Sequence, residues 1–186
     1  MKTLTTFLIV LFCFSKLSAT AQIPDKIIYE GKEYALFTNP LEVYFSMHPD
    51  KRPESDLMST ALWRGYIASF ELIDGQLFVT DIEIEVWNEE AKEAAMKSVI
   101  DDVFPDLADR TINWFSGMLT IPYGNMVSYI HMGYESLYEN YILIQIKNGK
   151  FIKSVDIGYE EYIDFDVIEF LSYKKTVVLN ESTVFS

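Results

Sequence analysis

Apolar and polar residues alternate along much of this chain, in runs that are separated by short polar turns. A period of two is typical of strands with one buried face, and Asp-Gly or Asn-Gly between two such runs predicts a β-hairpin. The strongest of these turn signals are Asp74-Gly75 and Asn148-Gly149. The pattern predicts four hairpins, at residues 26–37, 62–87, 114–132 and 140–157.

The long hairpin at 62–87 also predicts which side chains share a face. Strict alternation places Leu77 and Val79 on one face of its second strand, and Ile82 and Ile84 on the other. This hairpin and the one at 140–157 share a spacing of apolar residues around the turn. Because any hairpin with such a turn has that spacing, we infer no internal repeat.

A helical period appears at residues 89–104, where small and apolar side chains fall on one stripe. Asn88 is placed to cap this helix, and Pro105 is placed to end it. The prediction is an α+β fold, an antiparallel sheet built from hairpins with this one main helix packed on one face. Asn39-Pro40 predicts a second, short helix. The tail at 159–173 predicts a short helix followed by a strand, with a last strand at 176–179.

The first 21 residues have the three parts of a secretory signal peptide. Lys2 is followed by an apolar run at 4–14, and Ala19-Thr20-Ala21 supplies the small residues that a signal peptidase requires. The run is shorter than the roughly 20 residues that span a bilayer. We therefore expect cleavage before Gln22, a single domain at 22–186, and export to the periplasm or the extracellular space without membrane insertion after cleavage.

Charge and cysteine content restrict the possible partners. Two of the 15 basic residues and none of the 28 acidic residues lie in the first 21, so cleavage would change the net charge from −13 to −15. The electrostatic field of such a negative net charge repels nucleic acid, and we predict no nucleic-acid partner. The only cysteine, Cys13, lies in the predicted signal peptide. We therefore predict no disulfide-linked oligomer, no thiolate metal site and no thiol catalysis.

Several segments within residues 35–84 occur together in a recognisable pattern: ALFTNPLEVYF, HPDKRP and STALWRGYIASFEL, followed by DGQL and DIEI. In these segments the chain resembles a group of small bacterial proteins to which no activity is attached. The resemblance implies a bacterial origin and places the Trp63-Arg64-Gly65-Tyr66 cluster within a defined pattern. It implies no cofactor and no catalytic residue.

Residues suited to catalysis are few. The two histidines, His48 and His131, lie in different predicted elements, and no H-E-x-x-H pair is present. Ser128 and His131 would point to opposite faces of a strand. A glycine-rich phosphate loop is missing from the sequence. We predict no catalytic residue, no metal and no cofactor.

Carboxylates, in contrast, are plentiful. Asp81, Glu83 and Glu85 share one face of a predicted strand and could form a cation or sugar site. A solvated sheet face is the simpler interpretation, because one face of an antiparallel sheet is commonly exposed to water.

The candidate binding residues are aromatic and basic, and the types Trp, Arg and Tyr are enriched where proteins bind partners. They are Trp63, Arg64, Tyr66, His48, His131 and Tyr134. The structural alternative is that Trp63 packs at the edge of the core and Arg64 pairs with an acid such as Glu71. The polar, proline-flanked loop at 48–56 is interpreted as a surface connection, with a site as the alternative.

These observations favour a non-catalytic binding protein outside the cytoplasm. Its partner would be a protein or a glycan, and an inhibitor or an immunity-type protein fits this description. One alternative is a hydrolase that uses a carboxylate pair, with or without His48 or His131. Another is an accessory protein of the cell envelope.

Overall fold

The computed structural model describes residues 21–57, 59–130 and 132–172. The predicted signal peptide (apart from Ala21) and the predicted strand at 176–179 lie outside the described residues. Within them, eight strands form one sheet. The strands are β1 (Asp25–Tyr29), β2 (Lys32–Leu36), β3 (Ile67–Ile73), β4 (Gln76–Asn88), β5 (Glu93–Ser98), β6 (Gly117–Ser128), β7 (Leu137–Lys147) and β8 (Lys150–Gly158).

The sheet has the strand order β2-β1-β3-β4-β8-β7-β6, and β5 pairs with β4 beside this path. All its pairs are antiparallel except β1 with β3, which is parallel, so the sheet is mixed rather than purely antiparallel. The sheet curls until its two outer strands meet. There the N–H of Phe37, directly after β2, donates to the carbonyl of Thr120 in β6 at 2.8 Å.

The helices among the described residues are short. They are α1 (Pro40–Met47), α2 (Ile100–Val103), α3 (Tyr159–Ile163) and α4 (Val167–Ser172). The predicted helix after Asn39-Pro40 is confirmed as α1. In the tail, the predicted helix is confirmed as α3, but the strand that was predicted to follow it is the helix α4.

The predicted main helix at 89–104 is wrong. Residues 89–92 form a turn, residues 93–98 form β5, and only α2 is helical. Asn88 does act as a local cap, because its side-chain oxygen accepts the N–H groups of Glu90 and Ala91 at 3.0 Å each. The turn then continues into a strand, since pairing satisfies the backbone groups along the outer half of β4. Helix propensity is a weak preference that tertiary contacts override.

The predicted hairpin at 114–132 is also wrong. The turn of that hairpin would be Tyr123-Gly124-Asn125, but β6 runs through these residues and pairs along its length with β7. The ladder shifts register between Tyr123 and Met126. The carboxylate of Glu139 accepts the backbone N–H of Asn125 at 2.8 Å and its side-chain amide at 3.0 Å. The turn residues therefore form an irregularity within one strand rather than a reversal of the chain.

The other three hairpins are confirmed, as β1–β2, β3–β4 and β7–β8. In β4, however, the predicted faces do not hold along the whole strand, because Leu77, Val79, Ile82 and Ile84 are all buried. Ser69 pairs with Asp81 and Phe70 pairs with Val79, which leaves Thr80 as an extra residue. This β-bulge reverses the alternation, so apolar residues on both sides of it reach the same core.

The two Asx-Gly turns lie against each other. Gln76 and Lys150, which directly follow the two turns, are paired, and Phe151 donates its N–H to Gly75 at 2.8 Å. The side-chain amide of Gln76 donates to the carbonyl of Ile112 at 2.7 Å. A Cβ on Gly149 would lie 1.4 Å from that same carbonyl oxygen. The two hairpins that share a spacing of apolar residues are thus in contact through their turns.

In the part of the chain that the structure describes, apolar side chains form two clusters. The larger one joins β1–β4, β6 and β7 with α1 and α2, and the smaller one lies between β7–β8 and the two C-terminal helices. In the smaller cluster the rings of Tyr141 and Tyr162 stack with their centroids 3.7 Å apart. Helices α3 and α4 therefore cover an outer face of the sheet.

Candidate functional site

Four of the predicted binding residues lie at one end of the sheet, where the segment before β3 contacts the loop before β7 and the start of β1. These residues are Trp63, Arg64, Tyr66 and Tyr134. His48 directly follows α1, and His131 lies outside the described residues. The four residues differ sharply in exposure. Trp63 is 69% exposed, whereas Arg64 and Tyr66 are buried at 5% and 0%.

Arg64 is held by an acid that the sequence did not single out. Its Nη2 donates to Asp25 Oδ1 at 3.0 Å and to the carbonyl of Ile23 at 3.1 Å. Asp25 is completely buried, and its Oδ1 also accepts the N–H of Ala68 at 2.9 Å. The suggested partner Glu71 is thus replaced by Asp25. This pair ties the first strand of the sheet to the start of β3.

Tyr134 and Asn39 complete the environment of this ion pair. The hydroxyl of Tyr134 accepts hydrogen bonds from Arg64 Nη1 and from the side-chain amide of Asn39. The amide of Asn39 also donates to Asp25 Oδ2 at 2.9 Å. Asn39 precedes α1 and makes no side-chain capping bond to it. The ring of Tyr134 stacks on Phe37, with the centroids 4.9 Å apart.

A second set of bonds joins Tyr66 to the loop that follows α1. The Tyr66 hydroxyl donates to Glu42 Oε1 at 2.8 Å. The two terminal nitrogens of Arg52 donate to the same carboxylate, Nη1 to Oε1 at 3.1 Å and Nη2 to Oε2 at 2.7 Å. Arg52 also donates to the carbonyl of Arg64 at 3.3 Å. We call these residues the arginine network: Asp25, Asn39, Glu42, Arg52, Arg64, Tyr66 and Tyr134.

The electrostatics of the network follow from burial and pairing. Burial raises the pKa of Asp25, and the neighbouring Arg64 guanidinium offsets part of that rise. Partial burial also acts to raise the pKa of Glu42. The hydrogen bonds from Arg52 and Tyr66 outweigh it, so this pKa lies below its ordinary value. Burial, with Asp25 and Glu42 nearby, raises the pKa of the Tyr66 hydroxyl.

The network is suited to holding structure rather than to reacting. Both oxygens of Asp25 and both oxygens of Glu42 already accept hydrogen bonds from protein groups. Arg64 Nε is buried without a partner among the described residues. Because Arg64 and Tyr66 are buried, a partner at the protein surface would not contact them directly. The exposed group that they position is Trp63.

Two other exposed apolar residues lie on segments that backbone hydrogen bonds join, directly or through one another, to the residues just before Trp63. Ile23 is 39% exposed, and its N–H donates to the carbonyl of Ala61 at 2.9 Å. Met132 is 56% exposed and precedes Gly133, whose carbonyl accepts the N–H of Gln22 at 3.4 Å. We call these three residues, Ile23, Trp63 and Met132, the Trp63 surface.

His48 belongs to a different contact. It is exposed, and its ring lies against Tyr44 with the centroids 4.7 Å apart. Tyr44 in turn packs on Phe104 and Trp114. Among the described residues, no hydrogen bond, ion pair or ring contact joins His48 to the arginine network.

The acidic strand face is also partly paired. Asp81 accepts the Ser98 hydroxyl at 2.6 Å, and Glu83 forms an ion pair with Lys26 at 3.5 Å. Among the described residues, no group of three or more His, Cys, Asp or Glu side chains is arranged to hold a metal ion.

Sequence reasoning missed Asp25, Asn39, Glu42 and Arg52. Asp25 stands at the start of an apolar strand and Glu42 in the first turn of a helix, where acids are ordinary. The available signal was the shared pattern, since Arg52 lies in its HPDKRP segment and Asn39 and Glu42 lie in its ALFTNPLEVYF segment.

Comparisons with protein-family models, with curated proteins and with solved structures found no match to this chain. None of the helices in the described part of the chain is long and apolar enough to cross a membrane.

Proposed function

We propose that this chain is an exported, non-catalytic binding protein that engages a protein or a glycan through the Trp63 surface. The observation that carries the proposal is the contrast within one short segment: Trp63 is 69% exposed, while Arg64 and Tyr66 beside it are buried and hydrogen-bonded. An indole on a rigid base presents a large apolar area and loses little conformational entropy on binding.

The anchoring of the segment supports the same proposal. Arg64 is bonded to Asp25 of β1 and to Tyr134 in the loop before β7, so the segment that carries Trp63 is anchored from two sides. Such preorganisation lowers the entropic cost of association. The hydrolase and the accessory envelope role stay predictions.

The test compares two exposed tryptophans. Trp63→Ala and Trp87→Ala are assayed by titration against glycan arrays and against partners captured from an envelope fraction of the source organism. Trp87 is 45% exposed near the far end of β4, which makes it a matched control. We expect Trp63→Ala to weaken binding by about tenfold or more, as for an interface anchor, with unchanged thermal stability. Equal binding by both variants would refute the role of the Trp63 surface.

Export is tested separately. Cell fractionation followed by N-terminal sequencing should find a chain that begins at Gln22 outside the cytoplasm. A cytoplasmic chain that retains Met1 would contradict the proposed location.

A further inference from the structure

A cleft of about 420 Å³ lies beneath the HPDKRP loop. One wall is the loop at 50–54, and the other is formed by the end of β5 and by α2. Its volume is within the range of about 300–1,000 Å³ that is usual for small-ligand sites. The cleft shares no residue with the Trp63 surface.

The floor of the cleft is aliphatic. It includes Ile84, Val99 and Val103, which are exposed by only 7%, 6% and 4%. All three belong to the larger core cluster, so the floor is held by the packing of the domain. This floor offers a small aliphatic patch to a branched side chain, within a cleft whose lining is mostly polar.

The walls carry charges of both signs that have no ion-pair partner among the described residues. The cations are Lys51 and Lys97, and the anions are Asp50, Glu54 and Asp102. Arg52 also lines the cleft, but both terminal nitrogens of its guanidinium already donate hydrogen bonds to the carboxylate of Glu42. These bonds fix the loop and leave the other five charges available to a ligand.

We propose that this cleft binds a small aliphatic zwitterion, namely a branched-chain amino acid or the end of a short peptide with such a side chain. The side chain contacts the aliphatic floor. The ammonium group is recognised by Asp102 and the carboxylate by Lys97, while Asp50, Lys51 and Glu54 line the opposite wall. Charge-assisted hydrogen bonds of this kind are stronger than neutral ones, which gives the cleft a preference for ligands that carry both charges.

The test uses methyl NMR of the full domain, with the methyl groups of Ile84, Val99 and Val103 as reporters. The probes are free leucine, the dipeptide Leu-Leu, and N-acetyl-leucine amide, which has the same side chain without either charge. We expect saturable shifts at these methyls with leucine or with Leu-Leu, and binding of the uncharged analogue weaker by about tenfold or more. A preference for leucine indicates a free amino acid, and a preference for Leu-Leu indicates a peptide.

Variants of the charged side chains then test which of them recognise the ligand. Lys97→Gln and Asp102→Asn are both exposed substitutions that should leave the fold intact, and each should weaken binding by about tenfold. Lys92→Gln, in the turn before β5 and outside the cleft, is the matched control. Trp63→Ala should leave cleft binding unchanged, so failure of one proposal does not imply failure of the other.

Three results would overturn the inference. The first is no saturable shift at any of the three methyls with either charged probe. The second is equal binding of N-acetyl-leucine amide, which would show that the charges are not recognised. The third is binding to Lys97→Gln and Asp102→Asn that equals binding to Lys92→Gln.

Discussion

At the scale of single residues, the most consequential feature is the buried pair of Asp25 and Arg64. Each side chain is almost fully removed from water, and each compensates the charge of the other. Removing both charges from water is costly. The pair is tolerated because backbone groups and two further side chains satisfy most of its other hydrogen-bonding atoms, Arg64 Nε being the exception among the described residues.

Arg64→Met should therefore destabilise the fold strongly. It leaves the carboxylate of Asp25 buried without a cation, and such a loss costs about 3–5 kcal/mol of unfolding free energy. The double variant Asp25→Asn with Arg64→Met should cost less than the sum of the two single changes, because no unpaired charge remains. Urea denaturation measures both. Lys92→Met, which breaks the exposed pair with Glu89, is the control and should cost under about 1 kcal/mol. Additive effects of the two buried changes would contradict this account.

Glu42 should make stability depend on pH in the acidic range. Its pKa in the folded state lies below the ordinary value of 4.5, so the ionised form stabilises the fold above that pH. This contribution is lost as the pH falls through the folded-state pKa. The stability difference between the native chain and Glu42→Gln should be full at pH 6 and should shrink below about pH 4.5. Denaturation across this range measures it, with Glu89→Gln as an exposed control. A difference that does not vary with pH would refute the assignment.

At the scale of elements, the contact between the two hairpin turns fixes how β4 meets β8. The ladder between these strands has a single residue pair. The other bonds between them involve the turns: the carbonyl of Gly149 accepts the N–H of Leu77 and the side-chain amide of Gln76, and the carbonyl of Gly75 accepts the N–H of Phe151. Gly149 is central because its backbone approaches the chain at Ile112 more closely than any side chain allows.

Gly149→Ala should cost about 3 kcal/mol or more, because the new Cβ would overlap the carbonyl oxygen of Ile112 and force the turns apart. Gly31→Ala provides a matched control. Gly31 has a similar φ of +75°, against +73° for Gly149, but has no atom within 4 Å of the new Cβ. This control measures the cost of placing alanine at a positive φ without any steric overlap, which is about 1 kcal/mol. Thermal or chemical denaturation gives both values. Equal losses would show that the close approach is unimportant.

At the scale of the whole molecule, the sheet is completed by the seam between its outer strands. Thr38 forms this seam together with Phe37. Its hydroxyl donates to the carbonyl of Met118 at 3.2 Å and accepts the N–H of Thr120 at 3.0 Å. The seam joins the first hairpin to β6, far along the chain, and covers edges that would otherwise be open to other strands.

Thr38→Val keeps the shape of the side chain but removes both bonds and leaves the N–H of Thr120 unpaired. We expect a loss of about 1–3 kcal/mol and faster hydrogen exchange along β6. Thr38→Ser should retain most of the stability because it retains the hydroxyl. Thr80→Val, at the exposed bulge of β4, is the control for the change in residue type. Unaltered exchange at the amide of Thr120 in Thr38→Val would contradict a role for the seam.

The sequence alone determined the features that depend on neighbours along the chain. Three hairpins follow from alternation around tight turns, and α1 follows from Asn39-Pro40, because each needs only local backbone geometry. For the site, the pattern identified Trp63, Arg64, Tyr66 and Tyr134 as unusual. It could not show that one of them is exposed while its neighbours are buried.

Only the tertiary structure decided which partners these local elements have. Residues 89–104 carry a helical pattern, yet most of them form a turn and a strand, because the free edge of β4 satisfies their backbone groups. Residues 114–132 carry a turn signal, yet β7 holds most of the segment as one strand. Asp25 pairs with Arg64 across 39 positions of sequence. Such contacts depend on the approach of distant segments, and their energy is not expressed in any local pattern.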